Sequence, residues 1–110
     1  MGELSEADFA TAEAVGTELE AREVRAVSAH YEPETAMIVI TLHNDCVFSF
    51  PARLGQGLAD ATDAELAAVR VEGNGYGLHW ERLDVDLAVP MLLLGRFGSD
   101  RHMSRLGRAA

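Results

Sequence analysis

The chain has 110 residues, enough for one domain, and its 48% apolar and 25% charged composition is that of an ordinary globular protein. Nine arginines, no lysine and 18 acids leave it at −9, a charge that nucleic-acid phosphate repels and that a basic partner attracts. A lone cysteine (Cys46) excludes an intramolecular disulfide and a cysteine zinc cage, and no apolar run approaches the roughly 20 residues of a membrane span.

The acidic start of the chain lacks the basic and apolar regions of a signal peptide, so the expected location is the cytoplasm. Ser5 followed by Glu6 and Asp8 opens a helix, and Phe9, Ala12, Val15 and Leu19 extend it at helical spacing to about residue 21. Its other face carries Glu6, Glu13, Glu18 and Glu20. Residues 24–31 read as a strand, and Pro33 ends it. Residues 36–42 are apolar and β-branched with both faces buried, which predicts a central strand. A turn at residues 43–46 leads to a third strand over 47–50, and the three form an antiparallel meander.

Residues 52–58 offer a short helix at best. Thr62-Asp63-Ala64-Glu65 is a capping box that opens a helix to about residue 69. Residues 69–72 and 78–81 predict a fourth and a fifth strand around a glycine-rich turn. Pro90 and Gly95 bracket a helix, and Phe97, Met103 and Leu106 give the last residues an apolar side. The expected fold is a small α+β domain, mostly antiparallel sheet of about five strands with three to four short helices. It comprises an acidic N-terminal helix (1–23), a core (24–95) and a basic tail (96–110), all in one domain. Its expected core is Val27, Ile38, Ile40, Phe48, Phe50, Leu66, Val71, Trp80, Leu83, Leu87 and Leu92.

Four features invite chemistry. Gly73, Gly75 and Gly77 do not lead into a helix N-terminus, so they read as a hairpin and not as a phosphate loop. Asp84 and Asp86 read first as turn and helix-start residues. With His79 and Glu81 they also form a cluster able to support metal-assisted or acid–base catalysis, completed by Glu72 or His43 from a neighbouring strand. Cys46 has no electropositive surroundings to make it a nucleophile. No catalytic set, resident metal or cofactor is nominated, and the expectation is that the protein is no enzyme.

Charge is unevenly spread: residues 1–36 hold nine acids and two arginines, whereas residues 95–110 hold one acid with Arg96, Arg101, Arg105 and Arg108. Four arginines on so acidic a body argue against direct nucleic-acid binding. The tail is expected to lie on the acidic N-terminal helix of its own or a second copy.

Several segments carry a family resemblance. They are Phe50-Pro51-Ala52-Arg53-Leu54, Gln56-Gly57-Leu58, Ala61-Thr62-Asp63-Ala64-Glu65-Leu66, Gly77-Leu78-His79-Trp80, Leu83-Asp84-Val85-Asp86-Leu87, Val89-Pro90 and Gly98-Ser99. Together they resemble the small bacterial family of uncharacterised proteins catalogued as domain of unknown function 2442. Two positions depart from its pattern: Glu81 follows the tryptophan where a proline is usual, and Asp45-Cys46 replaces a frequent Asp-Gly. The resemblance implies a small α+β fold and no established activity. It also implies kinship with small two-gene modules, some of them toxin–antitoxin pairs. The expected function is therefore a protein-binding module, antitoxin-like, for a basic protein partner, with self-association as a second expectation and no membrane contact. Its candidate binding residues are His79, Trp80, Glu81, Asp84, Asp86, Arg96, Arg101 and Arg105.

Overall fold

The computed structural model describes residues 24–109. The helix expected over residues 5–21 lies outside the described residues, and so does any docking of the arginine tail upon it. The fold is α+β, as the sequence implies, and its six described strands form two three-stranded antiparallel sheets. The first holds β1 (Ala26–Glu32), β2 (Met37–Leu42) and β3 (Val47–Pro51), with β2 in the middle. The second holds β4 (Arg70–Glu72), β5 (Gly77–Trp80) and β6 (Val85–Ala88), with β5 in the middle. Strand β1 lies against β4, so one core serves both sheets.

Every second residue of β2 is buried, with Ile38 and Ile40 fully so, while Met37, Val39 and Thr41 are half-buried on the other face. A fully buried isoleucine contributes about 1.5–3 kcal/mol, which makes this strand the centre of the first sheet. Val27 departs from the expected core. The pairs Ala26↔Leu42 and Ser28↔Thr41 leave it as the extra residue of a β-bulge. The bulge turns Ala26 inward and leaves Val27 60% exposed. The β2–β3 turn shows why no glycine is needed after Asp45. Asn44 Oδ1 accepts from the Cys46 N–H at 3.1 Å, and Asp45 itself takes the left-handed conformation at φ 70°.

The capping box forms as its sequence predicts. Thr62 Oγ1 accepts from the Glu65 N–H at 3.1 Å, and Glu65 Oε1 accepts from the Thr62 N–H at 2.9 Å. These bonds start α1 (Asp63–Ala67), which seats Leu66 in the core and presents the Leu66 carbonyl to the Trp80 indole N–H at 3.2 Å. Trp80 is 0% exposed and is the largest side chain of the core. Asp63, from the same helix, accepts from the Tyr31 hydroxyl at 2.8 Å and ties α1 to β1.

Gly73, Asn74 and Gly75 form a left-handed turn with φ of 58°, 57° and 91°. A Cβ at Gly75 would run into the Ala26 carbonyl oxygen and lie 3.1 Å from the Ala26 nitrogen, so this turn sets how closely β1 approaches β4. Beyond β6, α2 (Val89–Leu93) has Pro90 in its first turn and ends at Gly95 with φ 79°. The tail forms α3 (Asp100–Ala109), preceded by Phe97, whose ring lies 5.3 Å from that of Phe50. His102 Nε2 donates to the Leu54 carbonyl at 2.6 Å, and Gln56 Oε1 accepts from the Ser99 N–H at 2.8 Å. Both bonds hold α3 on the loop after β3. No described helix is long and apolar enough to cross a membrane.

Candidate functional site

Strand alternation sends Val71, Leu78, Trp80 and Leu87 to the core and Arg70, Glu72, His79 and Asp86 to the outer face of the second sheet. Register then builds a row across three strands, because Arg70 pairs with His79 and His79 with Asp86. His79 Nδ1 lies 2.7 Å from Asp86 Oδ1, and since a carboxylate only accepts, Nδ1 carries the proton. Glu72 joins diagonally, and the ligand-type atoms of Glu72, His79 and Asp86 all lie within 4.8 Å of one another. The hydrogen bond to Asp86 raises the His79 pKa; partial desolvation opposes it, and the Glu72 charge adds to it.

The arginine closes the row on its far side. Arg70 reaches Glu72 at 3.0 Å and Glu81 at 3.4 Å. Of the cluster expected from the sequence, His79 and Asp86 thus come together, while Glu81 pairs with Arg70. Asp84 turns the chain between β5 and β6 at φ 52°. His43 accepts from the Arg25 N–H on the other sheet and contributes nothing here. Trp80 faces the core, opposite His79. Glu72, named only as a possible completion, is the third member; cross-strand register brings it in from seven residues away.

The free edge of the second sheet adds a surface. Among the described residues β6 pairs on one side only, with β5. The Val89 N–H bonds the Tyr76 carbonyl at 2.8 Å, one step beyond the Gly77↔Ala88 pair. Hydrogen-bonded and non-hydrogen-bonded pairs alternate in an antiparallel ladder. Leu87 and Val85 therefore bond to β5, and the main-chain N–H and C=O of Asp86 and Ala88 point to the open edge. A groove of roughly 540 Å³ runs along that edge between residues 84–88, Met91, the Gln56-Gly57 turn and the segment from Arg96 to Ser99. Arg96 borders it, paired with Asp100 at the start of α3. Arg101 and Arg105 border a second groove of about 330 Å³ on the other side of Gln56 and Ser99.

No curated protein matches the chain. A solved structure of a protein of unknown function from Rhodospirillum rubrum is 50% identical to it, with a TM-score of 0.71, covering 73% of this chain and 96% of that one. The solution structure of the uncharacterised protein CV0863 from Chromobacterium violaceum is 25% identical, with a TM-score of 0.74 over 100% of both chains. The model of a family described as "Protein of unknown function (DUF2442)" matches residues 26–98, a span that holds both sheets, the outer-face cluster and all of the first groove's lining but Ser99, and the chain belongs to that family.

Proposed function

We propose that this protein is a non-enzymatic binding module that takes up an extended, basic segment of another protein along β6. The observation that carries this reading is the β6 edge, unpaired among the described residues, where the main-chain groups of Asp86 and Ala88 border a groove of roughly 540 Å³. An added strand gains main-chain hydrogen bonds, and its alternate side chains meet two different surfaces. One set lies beside Asp86 on the outer face, where arginine or lysine is favoured. The other lies beside Val85, Leu87 and the exposed Met91, where apolar residues are favoured.

Charge supports the choice of occupant. A chain at −9 speeds encounter with a basic partner and disfavours an acidic one. Two copies joined through β6 would crowd Asp84 and Asp86 of each against the other, so self-pairing at this edge is disfavoured. The biological setting proposed with it is an antitoxin-like role in a two-gene module, with cytoplasmic residence.

The test is a titration of isotopically labelled protein with a synthetic peptide of alternating valine and arginine, read by amide chemical shifts. Shifts confined to β6 and the groove, which weaken as salt rises, are the expected outcome. A matching peptide of valine and glutamate should leave the spectrum unchanged. Equal response to both peptides, or shifts away from β6, would refute the reading.

A further inference from the structure

We infer that Glu72, His79 and Asp86 form a binding site for a divalent transition metal ion of the zinc type on the outer face of the second sheet. Independently of any partner at the β6 edge, the three residues stand on three adjacent strands, and their ligand-type atoms already lie within 4.8 Å of one another. Zinc–nitrogen and zinc–oxygen bonds of about 2.0–2.2 Å require ligand atoms somewhat closer than this. Rotation of the two carboxylates closes the gap without moving the backbone. Both lie at the surface, with the Glu72 side chain 47% exposed and that of Asp86 73% exposed, and each exchanges a present partner, Arg70 or the His79 N–H, for the ion.

The imidazole is the fixed member. It is only 17% exposed and sits on the central strand of its sheet, and an ion bound at Nδ1 would displace to solvent the proton that now bonds Asp86, releasing that carboxylate to become a ligand. A rigid nitrogen ligand between two adjustable carboxylates suits zinc, manganese or nickel, whereas magnesium and calcium prefer oxygen alone. Three protein ligands leave coordination positions open on the solvent side, as in sites that accept a further ligand. Arg70 supplies the internal control. Its guanidinium lies 3.0 Å from a Glu72 oxygen, so it already provides a positive charge where the ion would add two more. It should therefore oppose the metal, and removing it should help.

The experiment uses the full chain, chelator-washed, titrated with zinc chloride by calorimetry and by imidazole nitrogen and carbon resonances. Saturable binding that perturbs the His79 ring ahead of His30, His43 and His102 is expected, with magnesium and calcium inert. His79→Gln and Glu72→Gln should each weaken zinc binding roughly tenfold or more. Arg70→Met should strengthen it by about three- to tenfold, the repulsion of one charge by a divalent ion at this range in water and salt. The gain on losing Arg70 separates a metal site from a fold that merely suffers on mutation. Undisturbed His79 resonances through the millimolar range, undiminished binding in His79→Gln, or weaker binding in Arg70→Met would each overturn the assignment.

Discussion

Replacing Gly75 with alanine tests the junction between the two sheets. At φ 91° an L-residue carries the left-handed penalty, about 1–2 kcal/mol. Restricting the unfolded chain returns roughly 0.4–1 kcal/mol of that. The new methyl would also be driven into the Ala26 carbonyl oxygen, and 3.0 Å from Arg25 Cβ, so β1 must shift; such overpacking costs about 1–3 kcal/mol. The net loss is about 2–4 kcal/mol, a fall in melting temperature of roughly 10–20 °C for a domain of this size. Gly73→Ala is the matched control, because Gly73 has φ 58° and nothing within 4 Å of where its Cβ would stand. It carries the conformational cost alone, about 0.5–1 kcal/mol and a few degrees. Thermal unfolding of both variants by circular dichroism reads the difference directly. Equal losses would show that Gly75 does not back onto β1, and the description of the sheet junction would be wrong.

Trp80→Phe leaves the Leu66 carbonyl without its indole partner inside the core and should cost about 1–3 kcal/mol, read as a lower urea midpoint at unchanged slope. Thr62→Ala removes the cap of α1 and should cost about 0.5–2 kcal/mol at neutral pH. The Thr62 main-chain and side-chain hydrogen bonds lower the Glu65 pKa below 4.5, so the stability they contribute is full above that pH and is lost as pH falls through the lowered value. The gap between wild type and Glu65→Ala, which loses the carboxylate that accepts the Thr62 N–H, should accordingly narrow in urea melts at acidic pH. Tyr31 behaves in the opposite sense. Its hydrogen bond to Asp63 raises its pKa above 10, so that contribution holds below pH 10 and disappears as pH rises through the raised value, which spectrophotometric titration of Tyr31→Phe against wild type checks. Truncation after Gly95 uncovers Phe50 and deletes the bonds from Ser99 and His102, and should lower the melting temperature by several degrees.

Local signals were the readable ones. The β-branched run of β2, the Thr62–Glu65 box and the Pro90 and Gly95 boundaries each depend on residues a few positions apart, and each appears where its residues stand. Val27 was misplaced because a bulge is a property of pairing: one extra residue in β1 flips its side chain while the alternation of the sequence continues. Strand β6 was hidden by its aspartates, which read as a turn and a helix start. Asp84 does make the turn, but Asp86, two residues on, is a strand residue whose side chain meets His79. The outer-face cluster was half legible for the same reason. Nearness along the chain suggested Glu81 and Asp84, whereas strand register selects Glu72 and Asp86, each seven residues from His79. Leu58, fully buried, was missed because its loop has no periodicity to report it.

The claim that β6 is an open edge able to accept a strand rests on two amides, and residue-resolved hydrogen exchange measures them. In the free protein the Asp86 and Ala88 N–H groups should exchange fast while those of Val85 and Leu87 are protected, and saturating valine–arginine peptide should slow the first two. Ala88→Pro should abolish the effect of the peptide without unfolding the sheet, because Ala88 has φ −86°, close to the value proline requires, and its N–H makes no bond to β5. Protection of Asp86 and Ala88 in the free protein, or exchange at these amides that the peptide leaves unchanged, would contradict the account.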